Sequence, residues 1–150
     1  MVLIWIVCLT CIWLGIVTAY RLPVWKFPSP KIFYVLGFGL FGAGVAFRWY
    51  SIHYLGRFFT PNVTIVADHR LIDSGPYRFI RHPTYSGMLL ILLGLGLSLG
   101  NIASMLIVFV PIFIALAWRI RIEEKVLLKA FGEQYRSYVE RTRRLIPLIY

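Results

Sequence analysis

Residues 85–118 read YSGMLLILLGLGLSLGNIASMLIVFVPIFIALAW and contain no charged side chain. Two apolar runs, 85–100 and 102–118, are separated only by the junction GNIAS at 100–104. A connection this short, and without charge, predicts that the two runs form a helical hairpin. The stretch therefore predicts two consecutive membrane-embedded helices.

The composition of the whole chain supports a membrane protein. Of its 150 residues, 59% are hydrophobic and 15% are charged, whereas soluble domains contain about 25% charged residues. The formal net charge is +10, from 16 Lys and Arg against 6 Asp and Glu. Because the basic residues lie beside apolar runs, we interpret them as topology signals and contacts with anionic membrane lipids, and we expect no nucleic-acid partner.

The distribution of apolar residues predicts an all-α integral membrane protein, with residues 1–150 forming a single domain. About four transmembrane helices are expected, at 1–20, 32–50, 85–100 and 102–118. Three prolines in LPVWKFPSPK (22–31) stop the first helix. Four glycines in the second run are expected to allow a neighbouring helix to approach closely, namely Gly37, Gly39, Gly42 and Gly44.

The basic residues also predict which side of the membrane each segment faces. The segment 48–84 carries five Lys or Arg and the tail from Arg119 carries eight, against three in 21–31. The excess places both termini and the segments 51–84 and 119–150 in the cytoplasm. The tail from Arg119 is expected to leave the membrane as an amphipathic helix along the interface. The polar loop and the tail then share one face, where they would form a site.

The loop holds a cluster of polar and aromatic residues, GPYRFIRHPTYSG (75–87). Gly75-Pro76 is a turn signal, and Pro83 suits the first turn of a helix with His82 just before it. The unpaired N–H groups of a helix N-terminus favour a carboxylate or phosphate. Two pairs of side chains add to this chemistry: Arg78 and Arg81 as anion-binding groups, and Tyr77 and Tyr85 as ring faces for a base or a cation.

The tail supplies the acidic groups. Arg119 and Glu123 are four residues apart and share one helical face at the end of an apolar run, where an unpaired charge is costly. Glu124 is rotated by about 100° from its neighbour, so the two carboxylates need not serve one purpose. Other arginines are interpreted first as anchors at the membrane boundary, namely Arg48, Arg57, Arg121 and the RTRR cluster at 141–144.

Metal binding is not expected. Cys8 and Cys11 form CLTC within the first apolar run, which is at best half of a zinc site and places two small apolar side chains on one helical face. The sequence also shows no Ser-His-Asp grouping and no phosphate-binding loop.

The motifs of the loop and tail resemble those of the isoprenylcysteine carboxyl methyltransferase family, to which phospholipid N-methyltransferases are related. The matching stretches are GPYRFIRHPTYSG (75–87), RIRIEEKVLLKAFGEQYRSY (119–138) and RTRRLIP (141–147). The resemblance covers about residues 55–147. It implies an integral membrane enzyme that transfers a methyl group from S-adenosylmethionine to a lipophilic or lipid acceptor. It also implies a cytosolic cofactor pocket formed by the loop and the C-terminal segment.

The resemblance also implies roles for individual residues. Cofactor contacts are expected at His69, Arg70, Leu71, Ile72, Tyr77, His82, Pro83, Thr84, Tyr85 and Glu123. Arg119 is expected to face the acceptor, where it can hold a carboxylate. An amine acceptor would instead require a base, for which Glu124 or His82 are the candidates.

Two other functions are compatible with these residues. The first is an NADPH-dependent reductase similar to the sterol reductases, in which Arg70, Arg78 and Arg81 would bind the 2′-phosphate. The second is a non-enzymatic membrane protein whose basic tail binds anionic lipid.

Overall fold

A computed structural model describes residues 2–58 and 71–146. Each predicted apolar run forms a helix, and a short fifth helix follows the fourth. In the described residues the α-helices are α1 Val2–Arg21, α2 Pro30–Leu55, α3 Pro83–Ser98, α4 Ile102–Phe131 and α5 Glu133–Arg141. For the described part of the chain, the prediction of an all-α fold with a hairpin at α3 and α4 is confirmed.

The predicted transmembrane run 102–118 and the predicted amphipathic helix after it form one helix, because α4 continues without a break to Phe131. Residues 119–131 are mostly good helix formers and include neither Gly nor Pro, so nothing in them ends the helix. Gly132, whose φ is 52°, then separates α4 from α5. Gly132 therefore ends α4, and the apolar and charged halves of this helix meet at Arg119 without a break.

Within residues 2–58 and 71–146, two helices are long and apolar enough to cross a membrane, Lys31–Leu55 and Ile102–Phe131. Two further apolar helices are shorter, Trp5–Arg21 and Pro83–Ser98. Many large apolar side chains point outward from α1, α2 and α4, including Trp13, Val35, Phe38, Trp49, Ile114 and Trp118. Apolar surface of this extent suits contact with lipid.

Helices α2 and α3 pack through glycines. A Cβ atom added to Gly44 would lie 2.8 Å from the carbonyl oxygen of Gly87, and one added to Gly94 would lie 2.5 Å from the backbone nitrogen of Phe41. Gly37 likewise faces the backbone of α3. These glycines let the two backbones approach closely, as predicted.

Two of the four predicted contacts are wrong. Among the residues that the structure describes, no atom of another element lies within 4 Å of a Cβ added to Gly39 or Gly42. The helical period explains the difference, because Gly37 and Gly44 are seven residues apart and share one face, whereas Gly39 and Gly42 lie outside it.

Helix α1 packs on α4 and completes the hydrophobic core. Cys8 and Cys11 are free thiols, and both are buried in this core beside α4 residues. Their role as small apolar side chains is therefore confirmed. The α4 contribution repeats at helical spacing, through Val108, Ile112, Leu116 and Ile120.

A buried asparagine, Asn101, connects two turns at the end of the molecule opposite to the polar loop. The side chain of Asn101 accepts a hydrogen bond from the Ser104 N–H at 3.1 Å and donates one to the Leu22 carbonyl at 2.8 Å. The Phe27 N–H donates to the Gly100 carbonyl at 3.1 Å. The α3–α4 turn is thereby bound to the α1–α2 connection.

Candidate active site

The loop before α3 has the predicted local structure. Gly75, with φ 57°, opens a 3₁₀ turn over Gly75–Arg78. His82 is the residue before α3, and Pro83 occupies the first helical turn. Because proline lacks an N–H, it starts this helix without losing a hydrogen bond.

A tyrosine hydroxyl joins the predicted arginine and glutamate. The Nε of Arg119 donates to the Tyr85 hydroxyl at 2.6 Å, and this hydroxyl donates to Oε2 of Glu123 at 2.8 Å. The guanidinium carbon of Arg119 also lies 5.9 Å from the centre of the Tyr85 ring. The two charges therefore share one hydrogen-bonded group, which fixes their positions relative to α3.

The second carboxylate, Glu124, is surrounded by two arginine side chains and one histidine side chain. Oε1 of Glu124 accepts a hydrogen bond from Nε of Arg81 at 2.9 Å and lies 3.5 Å from Nε2 of His82. Oε2 lies 2.8 Å from an Arg144 amino group and accepts a hydrogen bond from its Nε at 2.9 Å. The carboxylate is mostly buried, at 13% side-chain exposure. Both oxygens are thus held by arginine, which disfavours a role as a free base.

The C-terminal segment pairs with the loop through main-chain hydrogen bonds. The N–H groups of Arg81 and His82 donate to the carbonyls of Arg143 and Arg144, at 2.7 and 3.0 Å. The Ser86 hydroxyl donates to the Leu145 carbonyl at 2.5 Å. The segment therefore covers the start of α3. This pairing corrects the interpretation of the RTRR cluster as a simple anchor, because its backbone and Arg144 build the site.

Arg81 has a structural role that the sequence did not indicate. Besides Glu124, its side chain donates to the carbonyls of Val139 and Thr142, at 3.1 and 2.6 Å. Its side chain is 8% exposed. We expected Arg81 to hold an anionic ligand, but these internal acceptors already engage it.

Tyr77 links α2, the loop and α5. Its hydroxyl donates to the Ser51 carbonyl at 3.2 Å, and its own carbonyl accepts a hydrogen bond from the Tyr138 hydroxyl at 2.7 Å. Burial raises the pKa of both phenols above the usual range, so both hydroxyls remain donors at neutral pH.

Arg48, interpreted above as a membrane anchor, also belongs to this region. It donates from its guanidinium to the Thr84 carbonyl at 2.8 Å. This bond fixes α2 against the first turn of α3.

Most of the predicted site residues gather in one region on the polar side of the helices. The set brought together comprises Tyr77, His82, Pro83, Thr84, Tyr85, Arg119, Glu123 and Glu124. Leu71 and Ile72 are half-buried in the segment before the turn. His69 and Arg70 lie outside the described residues, so their predicted roles stay predictions.

The interaction of Arg81 and Arg144 with Glu124 was not predicted from the sequence. The face of α5 that contacts the loop was not predicted either. A signal for that face exists, because Tyr135, Tyr138 and Thr142 are spaced by three and four residues.

The fold and this cluster define a helical membrane protein with a polar site at one end of its helices. The profile of the phospholipid methyltransferase family matches residues 32–134. The protein-S-isoprenylcysteine O-methyltransferase of Schizosaccharomyces pombe is 37% identical over 82 residues, which are 55% of this chain and 35% of that protein. Protein-S-isoprenylcysteine O-methyltransferase A of Arabidopsis thaliana is 33% identical over 135 residues, covering 87% of this chain and 68% of its own length.

A solved structure is similar over nearly the whole chain. It is a eukaryotic intramembrane Ras methyltransferase, an isoprenylcysteine carboxyl methyltransferase, with a TM-score of 0.78 and 27% identity. The match covers 97% of this chain and 52% of that one. The chain thus spans about half the length of several relatives that it matches. It belongs to the isoprenylcysteine carboxyl methyltransferase family.

Proposed function

We propose that the protein transfers a methyl group from S-adenosylmethionine to the carboxylate of a lipophilic acceptor, such as a prenylated cysteine, at the cytosolic face of a membrane. The observation that carries this proposal is the hydrogen-bonded arrangement of Arg119, Tyr85 and Glu123 at the start of α3. It places a cationic group and an anionic group side by side. The names of the relatives support the same reaction class.

The residues of the site fit the methyl donor. S-adenosylmethionine carries an ammonium and ribose hydroxyls, for which Glu123 is an acceptor, and a carboxylate, which suits the N-terminus of α3. His82 is buried, and its Nε2 is among the buried polar atoms without a hydrogen-bond partner in the described part of the chain. An unpaired polar atom at this position suits a polar ligand. The bound donor would supply an electrophilic methyl group, and the protein would supply its orientation.

The arrangement of charges favours a carboxylate acceptor. Arg119 can hold an acceptor carboxylate. Hydrogen bonds from Arg81 and Arg144 outweigh the effect of burial and hold the pKa of Glu124 below its usual range, so Glu124 is a weak base. An amine acceptor would have to lose a proton to His82, the other candidate base. A carboxylate needs no base, because it attacks the methyl group directly and the sulfonium becomes a neutral thioether.

Alignment and exclusion of water would then supply much of the rate. Holding the acceptor oxygen in line with the methyl group removes the entropic cost of bringing the two reactants together. The attack neutralises one negative and one positive charge, so a pocket shielded from water by the C-terminal segment assists it. In this role Glu124 is a positioning residue, which holds Arg81 and Arg144, and through them the segment that covers α3.

We also propose four membrane crossings, α1 to α4, within a single domain of residues 1–150. Both termini and the segments 51–84 and 119–150 would be cytoplasmic. The excess of Lys and Arg in these segments supports this orientation. Among the partners, membrane lipids and the lipophilic acceptor remain expected, and nucleic acid and metal ions do not.

The reductase alternative required Arg70, Arg78 and Arg81 to bind the 2′-phosphate of NADPH, but Arg81 is already engaged within the protein. Arg81 is held by Glu124 and by two backbone carbonyls, so it cannot bind a 2′-phosphate without breaking these bonds. A non-enzymatic protein that binds anionic lipid would not require the buried bonds of Arg119 and Glu123 to Tyr85.

Titration calorimetry with S-adenosylhomocysteine tests the proposal directly. We expect saturable binding by the folded wild-type protein, and methyl transfer from labelled S-adenosylmethionine to an S-prenylated N-acylcysteine. The ethyl-capped acceptor, in which the carboxylate is an ester, is the matched control and should not react. Thermal stabilisation by NADPH, together with no response to either adenosyl compound, would contradict the proposal.

A further inference from the structure

Tyr135 has a buried hydroxyl group without a partner. Its side chain is 2% exposed, and the hydroxyl makes no hydrogen bond within the described residues. Leaving a buried hydroxyl unpaired destabilises a protein, because the group loses its hydrogen bonds to water. Such a group is therefore uncommon in a native fold unless a ligand or water completes it.

The position of Tyr135 on α5 directs it toward the site. Tyr138, Val139 and Thr142 lie on the same helical face, and each of them contacts the loop before α3: Tyr138 through the Tyr77 carbonyl, and the other two through Arg81. Tyr135 lies one turn earlier on this face, just after Gly132, where the chain turns back from α4. Its ring centre is 6.0 Å from that of Tyr138.

Burial raises the pKa of the Tyr135 hydroxyl above its usual range, and the negative charge of Glu124 raises it further. Nε2 of His82 is also buried and lies 3.5 Å from the Glu124 carboxylate. Arg81 connects this region to the face of α5 that carries Tyr135, because its side chain bonds to Glu124 and to the carbonyls of Val139 and Thr142.

We propose that the Tyr135 hydroxyl is a binding group of the cofactor site and hydrogen-bonds a polar atom of the bound S-adenosyl compound. A phenol both donates and accepts, so it suits a ribose hydroxyl or the amino-acid end. This inference rests on the proposed function and adds a residue that neither the loop motif nor the Arg119–Glu123 pair indicated.

The substitution Tyr135→Phe removes only the hydroxyl. Titration with S-adenosylhomocysteine should show binding about 3- to 10-fold weaker than in the wild type, the effect of one lost neutral hydrogen bond. Without ligand, the variant should unfold at the same temperature as the wild type or higher, because it no longer buries an unpaired hydroxyl. This combination of weaker binding and undiminished stability is not expected of a purely structural tyrosine.

Two further substitutions serve as controls. Tyr138→Phe removes a hydroxyl that is bonded to the Tyr77 carbonyl, so it should lower the unfolding temperature. Tyr34→Phe changes an exposed tyrosine on α2 and should leave both the unfolding temperature and the affinity unchanged. Wild-type affinity in a folded Tyr135→Phe protein would overturn the inference while leaving the proposed function intact. Absence of binding by the wild type would overturn both.

A second measurement covers the case in which Tyr135→Phe does not fold. 3-Fluorotyrosine placed at position 135 keeps the hydroxyl and reports its surroundings through the ¹⁹F resonance. We expect this resonance to shift on saturation with S-adenosylhomocysteine, whereas the same label at position 34 should not respond. An unchanged resonance at position 135 in the saturated protein would overturn the inference.

Discussion

At the scale of single residues, the adjacent Glu123 and Glu124 have different surroundings. Substitution of each should therefore have a different effect on stability and on binding. Glu124 faces two arginines, so Glu124→Gln leaves the buried Arg81 and the partly exposed Arg144 without their counter-charge and should lower the free energy of unfolding by about 2–3 kcal/mol. In Glu123→Gln the amide oxygen can still accept from the Tyr85 hydroxyl, so stability should change by less than about 1 kcal/mol. Binding of S-adenosylhomocysteine should nevertheless weaken by about tenfold or more, because the charge-assisted acceptor is lost.

Thermal unfolding in detergent and titration calorimetry on the same preparations separate these two effects. Unfolding of Glu123→Gln at a much lower temperature, with Glu124→Gln as stable as the wild type, would reverse the assignment. The sequence predicted Arg119 and Glu123 because charge at the end of an apolar run is costly. It did not predict that Arg81 and Arg144 converge on Glu124, since they come from segments that are distant in sequence and meet only after the chain has folded.

At the scale of helices, close packing of α2 on α3 depends on one face of α2. Gly44→Ala and Gly94→Ala would each place a Cβ within 3 Å of backbone atoms of the opposite helix, so each should lower the free energy of unfolding by about 1–3 kcal/mol. Gly39→Ala and Gly42→Ala add a methyl group where nothing lies within 4 Å. Because alanine favours a helix over glycine, these controls should be neutral or slightly stabilising.

Thermal unfolding of the four variants in one detergent provides the comparison. A loss of stability in Gly42→Ala equal to that in Gly94→Ala would mean that another surface covers the outer face of α2. The sequence identified all four glycines as contact residues but could not choose between them. That choice depends on which face meets α3, and the nearly uniform apolar character of the run hides it.

The change of polarity within α4 shows that composition alone does not locate the end of a helix. Composition separates the apolar half from the charged half at Arg119, so the sequence predicted the end of a transmembrane run there and an amphipathic helix after it. Helix formation follows backbone propensity and stop signals, and the first stop signal is Gly132. The change in polarity therefore marks a change of surroundings along one continuous helix.

At the scale of the whole molecule, the two ends of the helices differ in chemistry. Asn101 binds the α3–α4 turn to the α1–α2 connection at one end. The arginine–glutamate cluster and the C-terminal segment lie at the other. Because α3 joins the two ends and carries Tyr85 in its first turn, its tilt determines where the Tyr85 hydroxyl lies relative to α4. We therefore expect a change in the packing of α2 on α3 to move the Tyr85 hydroxyl within the site.

The proposed orientation predicts which single cysteines a membrane-impermeant maleimide can label in sealed vesicles. Arg136→Cys, at an exposed position on α5, should be labelled only from the cytoplasmic side. Lys26→Cys, in the exposed α1–α2 connection, should be labelled only from the opposite side. The native Cys8 and Cys11 are 4% and 8% exposed in the core, so the wild type should give little background. Labelling of both engineered cysteines from one side would contradict the crossing by α2, because α2 must carry the chain from the Lys26 side to the loop that α5 contacts.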